Sequence, residues 1–246
     1  MTKLRFFVPF LALLLLLGCS GKKTSETPTT TTTGGATTGT TTGEETVSLP
    51  DSLKNSAYDY KGLGNSSLRT YTATFPKQPT EDGTETVRLE KVENGTATFI
   101  IERTGALSTL GTETVELSQK GVTTVAASSG VVTPMLELPA DLHVGSSWVD
   151  QFESTQAGTT VKAKVNLKAV REEKLTVPAG EFDCIVIENM MDATVTGGTA
   201  DVNGTAKTTI TAYYAKGIGI VKLVGKTVRS NGSTENLLIE LKSIGE

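Results

Sequence analysis

The sequence predicts a mainly β protein, in which one antiparallel, strongly curved sheet (half-barrel or sandwich-like) follows a disordered threonine-rich tether. Three observations support this prediction. No window shows a sustained apolar period of 3.6 residues, which would indicate an amphipathic helix. Short runs instead alternate apolar and polar residues between glycine, asparagine or proline, as antiparallel strands do. Asn-Gly pairs, which are strong hairpin signals, begin at Asn94, Asn203 and Asn231.

The N-terminal residues 1–18 have the features of a signal peptide. Two basic residues, Lys3 and Arg5, precede an apolar run from Phe6 to Leu17. This run is shorter than the roughly 20 apolar residues that a membrane-spanning helix needs. A basic start, a short apolar segment and small residues at its end are typical of a cleaved secretory signal.

The segment Leu16-Leu17-Gly18-Cys19 resembles the lipobox of bacterial lipoproteins. The resemblance implies cleavage after Gly18 and thioether-linked diacylglycerol on Cys19, which would tether the protein to a membrane through its acyl chains. An ordinary secretory signal with a cysteine nearby is the alternative. In Gram-negative lipoproteins, an aspartate after the lipidated cysteine favours the inner membrane. Ser20 occupies that position here, which favours the outer membrane of the cell envelope, facing the periplasm or the cell surface.

Residues 19–47 form the predicted linker, and its stretch 24–46 contains thirteen threonines and almost no apolar residue. Such a segment cannot bury enough surface to offset the entropy of ordering, so we expect it to be disordered. A flexible coil of this length spans about 25 Å on average. A glycosylated stalk is the alternative to a plain spacer. The remaining residues, 48–246, are long enough for one globular β-rich domain.

The charge balance limits the classes of partner. The formal net charge is −4, and loss of Lys3 and Arg5 with the signal peptide would take it to −6. Since no basic cluster is present, nucleic acid and anionic lipid surfaces are poor candidate partners.

Two hairpin registers can be predicted from the turns. A two-residue turn at Asn231-Gly232 would set Val224 opposite Ile239. A turn at Asn203-Gly204 would set Thr194 opposite Tyr213. The tip of this second hairpin, residues 197–206, is small and polar, so we expect it to project beyond the sheet.

The motif Gly-Thr-Glu-Thr-Val occurs twice, starting at Gly83 and at Gly111. Each copy precedes a predicted turn, at Asn94-Gly95 and at Lys120-Gly121. A duplicated hairpin explains this echo, and so does chance similarity between two threonine-rich strands.

The sequence offers few groups for catalysis. His143 is the one histidine, which excludes multi-histidine metal sites and leaves a Ser–His–Asp arrangement only this imidazole. No nucleophile elbow, phosphate loop or dinucleotide fingerprint accompanies it. Acidic residues mostly alternate with apolar ones, as in residues 87–93, which favours solvated strand faces. We therefore expect no catalytic, metal-binding or cofactor-binding residue, with His143 in a loop and Trp148 as a core anchor.

Cys184 lies in an apolar stretch. Phe182, Cys184 and Val186 would point to one face of a strand, and Ile185 and Ile187 to the other. Apolar residues on both faces predict a strand that is covered on both sides. A free cysteine in such a place behaves as a small, inert apolar residue. The alternative, a reactive thiol or an intermolecular disulfide, would need exposure or nearby positive charge.

Three segments of the C-terminal half resemble the TapB-like family of uncharacterised envelope lipoproteins, which carry a domain of unknown function. They are LPADLHVGSSWVD (138–150), LTVPAGEFDCIVIE (175–188) and YYAKGIGIVK (213–222). Their prolines and glycines suit turns, and Gly217 and Gly219 would let a strand bend or another backbone approach. The resemblance implies a β-rich envelope domain and supplies no catalytic residue.

Two functional hypotheses follow. The first is a non-catalytic binding, interaction or structural accessory module of the envelope, with an envelope protein as its partner. The alternative is a carrier or sequestering protein for an apolar ligand, such as a lipid, inside a cavity of the curved sheet. The low aromatic content, 5%, is compatible with such a cavity because few large side chains are present to fill it.

Overall fold

The computed structural model describes residues 48–127, 130–156, 158–198 and 203–245. The predicted signal peptide, Cys19 and the linker lie outside these residues. Helix α1 spans Ser56–Lys61, and 3-10 turns span Asp51–Leu53 and Ala106–Leu110. The strands are β1 (Arg69–Thr74), β2 (Glu81–Glu93), β3 (Thr96–Gly105), β4 (Glu113–Ser118), β5 (Gly121–Ala127), β6 (Gly130–Pro139), β7 (Ser147–Gln156), β8 (Thr159–Val177), β9 (Gly180–Thr196), β10 (Gly204–Ala215), β11 (Gly219–Arg229) and β12 (Thr234–Ile244).

The strands form one antiparallel sheet in the order β6-β5-β4-β3-β2-β1-β12-β11-β10-β9-β8-β7. The predicted mainly β class with a single antiparallel, curved sheet is therefore confirmed. The curvature goes further than a half-barrel, because the two end strands, β6 and β7, come into contact and nearly close the sheet into a barrel. Among the described residues, no helix is both long and apolar enough to cross a membrane.

The first predicted hairpin turn is confirmed. Asn94 and Gly95 both have positive φ, 51° and 73°, and the turn joins Glu93 of β2 to Thr96 of β3. This is the geometry that favours Asn-Gly in two-residue hairpins.

The predicted register of the last hairpin is wrong by one residue. Ile239 lies opposite Leu223 and not opposite Val224. The turn has three residues, Ser230 to Gly232, because the Arg229 N–H donates to the Ser233 carbonyl. In such a loop only the last residue needs positive φ, which Gly232 supplies at 83°.

The register predicted for the β9–β10 hairpin is also wrong. Thr194 lies opposite Thr205, not Tyr213, because β10 already begins at Gly204. Asn203 does not form the turn itself; its side chain bonds to both the N–H and the carbonyl of Gly198, at 2.8 and 2.9 Å, and closes the loop. Of the predicted tip 197–206, residues 204–206 therefore belong to the strand, and residues 199–202 lie outside the described part.

Alternate side chains of the strands fill the interior of the sheet. In β11, for example, Val221 and Leu223 are buried while Val224 is exposed, as the period of two in a strand requires. Burying these apolar side chains contributes roughly 25 cal/mol per Å² of apolar surface removed from water. This interior is the place where a curved sheet could hold a ligand.

Helix α1 lies against β5, β6, β10 and β11 and covers one end of the interior. Asn55 begins the helix, since its side-chain oxygen accepts from the Tyr58 N–H at 3.2 Å. The helix ends at Gly62, whose φ of 69° is left-handed. The Gly217 N–H donates to the Asp59 carbonyl at 2.8 Å, so the β10–β11 loop is bonded to the helix.

The close packing at the end of α1 explains Gly219. A Cβ atom on this residue would lie 2.9 Å from the Lys61 carbonyl oxygen and 3.1 Å from Nη1 of Arg69. The backbone approach predicted for the Gly217-Ile218-Gly219 segment is therefore confirmed at Gly219.

The contact between β6 and β7, called the seam from here on, differs from the contacts between neighbouring strands of the sheet. In the described parts of the two strands, no backbone hydrogen bonds pair them. Instead of backbone pairing, two side chains of β7 bond to the backbone of Leu136 in β6. The Asp150 carboxylate accepts from the Leu136 N–H at 2.7 Å, and the Trp148 indole N–H donates to the Leu136 carbonyl at 3.1 Å.

Candidate functional site

Six charged side chains meet inside the sheet, and we call them the ionic cluster. Each is at most 16% exposed, although charged side chains are rarely so buried unless they are paired. Three cations face three carboxylates, so the formal charges balance. The members are Lys61 of α1, Arg69 of β1, Glu85 of β2, Arg103 of β3, Glu113 of β4 and Glu137 of β6.

Arg103 is the centre of the cluster. Its Nε donates to Glu85 and its Nη2 donates to Glu113, both at 2.8 Å. Its Nη1 also reaches the Gly111 carbonyl at 3.3 Å. Because β3 lies between β2 and β4 in the sheet, one guanidinium can bridge carboxylates from both neighbours, a geometry that a lysine could not reproduce.

Lys61 enters the cluster from the last turn of α1. Its Nζ lies 2.5 Å from Oε1 of Glu137 and 3.9 Å from Oε2 of Glu113. The Thr124 hydroxyl donates to Glu113 at 2.9 Å and completes the bonding of that carboxylate. The helix end is thereby bonded to β4 and β6 through one ammonium group.

Arg69 links the cluster to the β10–β11 loop. Its Nη1 donates to the Ile218 carbonyl at 2.5 Å, and its Nη2 lies 3.5 Å from Oε1 of Glu85. The side chain is 1% exposed. The cluster thus joins the sheet, the helix and the loop that packs on the helix.

The pKa values of the carboxyls show which groups are charged. Burial alone would raise the pKa of Glu113, but the charges of Lys61 and Arg103 outweigh it and lower the pKa to about 2. The pKa of Glu85 is likewise lowered, because Arg103 and Arg69 outweigh its burial. Glu137 behaves oppositely: burial, aided by the nearby negative charge of Glu113, raises its pKa despite Lys61. Glu85 and Glu113 therefore lose their protons more readily than an ordinary glutamate, and Glu137 loses its proton less readily.

A small cavity of about 40 Å³ lies between the ionic cluster and the far side of the interior. This volume can hold a few water molecules but is far below the 300–1,000 Å³ or so of typical ligand pockets. Carboxylates close it on one side and apolar side chains on the other. Its lining residues include Glu113, Glu137, Leu167, Ile187, Asn189 and Leu223.

Asn189 is a polar residue on the apolar side of the cavity. Its residue is 5% exposed, and within the described part of the chain its Oδ1 atom has no hydrogen-bond partner. A buried amide oxygen of this kind is usually bonded to a water molecule when the site is roomy enough.

His143 lies in the loop before β7, as predicted. It is exposed, and its Nδ1 lies 2.5 Å from the Asp141 carbonyl oxygen and 3.0 Å from the Ser146 hydroxyl. The contact is to the backbone of Asp141 and not to its carboxylate, so no Ser–His–Asp arrangement forms here. Among the described residues, no group of three or more histidine, cysteine or acidic side chains could hold a metal ion.

Cys184 is a free, buried thiol, 2% exposed. Ile185, Val186 and Ile187 are buried as well, which confirms the prediction of a strand covered on both faces. Burial, together with the negative charges of Asp183 and Glu173, raises the pKa of the thiol to about 11. This environment disfavours the reactive thiolate.

The predicted lipidation site, Cys19, and the cleavage point after Gly18 lie outside the described residues and stay predictions. Trp148 packs against the core, as predicted, but remains partly exposed because it also spans the seam.

The ionic cluster was missed by the sequence interpretation, which assigned acidic residues to solvated faces. The alternation of side chains along the strands did indicate that these charged residues are buried. Glu113 shares a face with Val115 and Leu117, and Arg103 shares one with Ile101 and Phe99, so each charged side chain falls on the interior face. The repeated Gly-Thr-Glu-Thr motif held a second signal, since its two glutamates are Glu85 and Glu113, the two partners of Arg103.

Solved structures of similar proteins come from several bacteria. A candidate lipoprotein from Parabacteroides distasonis has a TM-score of 0.49 and 12% identity, over 76% of this chain and 98% of that one. A candidate exported protein with a YmcC-like fold from Bacteroides fragilis has a TM-score of 0.41 and 13% identity, over 74% and 96% of the chains. The hypothetical lipoprotein YmcC from Escherichia coli has a TM-score of 0.32 and 10% identity, over 74% and 86%.

No curated protein sequence matches the chain. A family model matches residues 117–223 and is described as DUF3108-like. The matched range runs from the end of β4 to the middle of β11 and contains all three segments on which the lipoprotein resemblance rests. Over these residues the chain is similar to the DUF3108-like family.

Proposed function

We propose that the chain is a lipid-anchored protein of the bacterial cell envelope whose β domain acts by binding a partner on its outer surface, without catalysis. One observation carries the proposal. Among the described residues, the interior, where a curved sheet could hold a substrate or a lipid, is packed with apolar side chains and with the ionic cluster, and the cavity between them has a volume of about 40 Å³. Recognition is therefore assigned to the strand edges and outer faces.

The ionic cluster supports a structural role for its charged groups. Every carboxylate in it is paired with a buried cation, and the Arg103 guanidinium and the Lys61 ammonium connect four strands, β2, β3, β4 and β6, to α1. Charges held this way fix the geometry of the fold. Glu113 and Glu137 line the cavity of about 40 Å³, which has little room for a substrate.

The anchor and the tether fit a presenting role. Lipid on Cys19 would fix the protein to a membrane, and Ser20 favours the outer membrane if the organism has one. The linker would hold the domain about 25 Å from the surface on average and at most about 80 Å when extended. We also propose that the domain is related to the TapB-like envelope lipoproteins.

The experiment uses a deletion strain of the native host, complemented with the full chain or with variants. His143→Ala should restore the phenotype fully, with or without chelator, because the proposal uses neither imidazole nor metal. Cys19→Ala should abolish fatty-acid labelling and fail to complement. Loss of the phenotype in a folded, membrane-localised His143→Ala protein would overturn the non-catalytic assignment.

The carrier hypothesis has one observation in its favour, which is the apolar lining of the cavity opposite Glu137. An acyl chain would fit only if the interior expanded. Mass spectrometry of lipids extracted from the purified full-length protein tests this hypothesis. A stoichiometric lipid, beyond the one on Cys19, would favour a carrier over a surface-binding module.

A further inference from the structure

We propose that the amine of Lys61 and the carboxyl group of Glu137 join in an amide bond, which links α1 covalently to β6. The two side chains react with each other and with no outside reagent, and one water molecule is released. This inference goes beyond the proposed binding function and does not depend on it. The Lys61–Glu137 ion pair is the reactant, and the raised pKa of the Glu137 carboxyl, caused by its burial, belongs to that state.

The reacting groups are already in contact. Nζ of Lys61 lies 2.5 Å from Oε1 of Glu137, so the nitrogen lies next to the carboxyl carbon that it would attack. The two side chains are only 6% and 15% exposed. Groups that are held in contact in this way react far faster than the same groups free in solution, because the entropy of bringing them together has already been lost on folding. The pair therefore has the proximity that amide formation requires.

Burial also shifts the equilibrium towards the amide. In water, an ammonium and a carboxylate are well solvated and are more stable than the amide that they could form. Inside the sheet, both ions have lost most of their water, which is costly for each of them. The amide is neutral, so its formation removes this cost. Glu113 keeps Arg103 as its partner at 2.8 Å, and the charges that remain in the ionic cluster still balance.

Glu113 and Thr124 give the protons a route from the nitrogen to the oxygen that leaves. Nζ of Lys61 lies 3.9 Å from Oε2 of Glu113. The Thr124 hydroxyl donates to the other oxygen of Glu113 at 2.9 Å and lies 3.5 Å from Oε2 of Glu137. Although burial opposes it, the charges of Lys61 and Arg103 keep the pKa of Glu113 at about 2, so this carboxylate is ionised and can accept a proton.

In the reaction, the ammonium of Lys61 gives one proton to Glu113, and the lone pair that this frees forms the bond to Cδ of Glu137. The nitrogen then loses a second proton, and Oε2 of Glu137 leaves with both protons as water, the first of them passing through the Thr124 hydroxyl. The products are one neutral amide and one water molecule, and no atom changes its oxidation state. The adjoining cavity of about 40 Å³, which Glu113, Thr124 and Glu137 line, has room for this water.

The bond should form slowly. Burial would lower the pKa of Lys61, but the charges of Glu113 and Glu137 outweigh it and raise the pKa, so the amine is protonated at the start. Each attack must therefore wait for the transfer of a proton to Glu113. We expect the bond to accumulate in the folded chain after synthesis.

The bond would fasten a strand that is otherwise weakly held on one side. β6 meets β7 through side-chain bonds at Leu136, the residue before Glu137. Lys61 and Glu137 are 76 positions apart, and a cross-link between distant residues restricts the unfolded chain. Cys184 is a free, buried thiol, so within the described residues an amide can supply a cross-link that no disulfide supplies.

The test is peptide mapping by mass spectrometry of the full-length protein, purified from its host and sampled again during further incubation. Trypsin does not cleave after an acylated lysine, so the bond would join the tryptic peptides 55–69 and 121–162. The joined peptide should weigh less than the sum of the two by one water molecule. We expect it to accumulate with time in the folded protein, and unfolding the protein in urea should stop its accumulation.

Three variants test the reacting group and the proton route, and circular dichroism checks that each one is folded. Lys61→Arg keeps the positive charge but lacks the amine, so no joined peptide should form. Thr124→Val removes the bridging hydroxyl and should slow the accumulation about tenfold or more. Thr124→Ser keeps the hydroxyl and should join at nearly the natural rate.

The chain also contains a matched control pair. Nζ of Lys242 lies 2.5 Å from Oδ2 of Asp82, the same separation as in the reacting pair, but both side chains are 49% exposed. Because these ions keep their water, we expect no amide between them. The comparison separates the effect of burial from that of proximity.

Absence of the joined peptide from the folded natural chain after incubation would overturn the proposal. Equal joining of Lys242 to Asp82 would also overturn it, because proximity alone would then suffice. A Thr124→Val chain that joins as fast as the Thr124→Ser chain would refute the proton route. The proposed binding function is tested separately, by complementation with the His143→Ala and Cys19→Ala variants, and none of these results would change it.

Discussion

The two sides of the interior are built by different forces. On the β1–β4 side, charged residues from four neighbouring strands point inward and bond to one another. On the β8–β11 side, residues such as Val165, Ile187 and Leu223 fill the space by packing alone. Directed bonds fix the position of each group on the first side, whereas shape fixes it on the second. The difference shows that, in a single sheet, one side can fix the positions of its side chains by directed bonds while the other side provides most of the buried apolar surface.

The largest expected effect is the loss of the centre of the ionic cluster. Arg103→Ala leaves Glu85 and Glu113 buried without their shared guanidinium, and removing one partner of a buried ion pair costs about 3–5 kcal/mol. Urea unfolding of the variant measures this loss. Arg88→Ala, on the outer face of the neighbouring strand β2, is the control and should stay within about 0.5 kcal/mol.

The comparison can be sharpened by replacing the ion pairs as a set. Arg69→Met, Glu85→Leu, Arg103→Met and Glu113→Leu together leave Lys61 paired with Glu137, so none of the remaining cluster charges is buried without a partner. The set should therefore cost less than Arg103→Ala alone. A fourfold variant that is less stable than the single one would mean that the ionic cluster contributes net stability beyond its own desolvation.

The apolar side should lose stability through a cavity. Leu223→Ala removes a fully buried side chain beside the existing void, and such changes cost about 2–5 kcal/mol. The measurement is again the urea midpoint. Val224→Ala, the next residue along and on the opposite face, should change the stability by less than about 0.5 kcal/mol. Equal losses for the two variants would contradict the assignment of the faces.

Of the two sides of the interior, acid should weaken the ionic one. The pKa values of Glu85 and Glu113 are lowered in the folded state, so the stability they contribute is present above the ordinary carboxyl pKa of 4.5. It is lost as the pH falls through the folded values, about 2 for Glu113. Glu137 acts in the opposite direction, because its raised pKa makes its contribution fade as the pH rises.

The prediction is a falling unfolding midpoint between about pH 5 and pH 2, with a slope of at most about 1.4 kcal/mol per pH unit for each carboxyl. Glu113→Gln should flatten this slope, and Leu223→Ala should leave it unchanged although it lowers every midpoint. The same slope in Glu113→Gln as in the natural chain would show that other carboxyls cause the acid sensitivity.

The smallest effect is expected at Asn189. Its Oδ1 atom has no partner among the described residues, so Asn189→Leu exchanges an unsatisfied amide for an apolar group of similar size. We expect a change within about 1 kcal/mol of zero, or a small gain. A loss above about 2 kcal/mol would instead indicate a bound water that satisfies the amide.

The strand content and the sheet type followed from the sequence because they depend on local patterns. Period-two alternation and the turn at Asn94-Gly95 are decided by neighbouring residues. Register was harder to predict, as Asn203 and Asn231 show. Both asparagines lie in loops, yet one closes a longer loop with its side chain and the other lies within a three-residue turn. An Asn-Gly dipeptide does not by itself determine the length of the loop. An error of one residue in the loop length shifts every cross-strand partner of the hairpin.

The candidate site was the part least accessible from sequence. Glu113 has the same strand phase as Val115 and Leu117, which places it on the interior face, but phase does not show what pairs a buried charge. What makes its burial tolerable is Arg103 on the adjacent strand and Lys61 on a helix more than fifty residues earlier in the chain. Such partners are known only once the strand order is known. The seam has the same dependence, because Trp148 and Asp150 meet Leu136 only when the sheet curves back on itself.

The order of the strands also has a consequence for how the chain folds. Ten of the eleven ladders join strands that are consecutive in sequence, and the exception pairs β1 with β12, as between Arg69 and Ile244. Residues 69–139 and 147–244 can therefore each fold as a meander of low contact order. The ladder between the first and last strands then closes a loop of nearly the whole domain, and loop-closure entropy makes this the slow step. The gap between the end strands β6 and β7 therefore lies in the middle of the sequence, whereas the first and last strands of the domain pair with each other in the middle of the sheet.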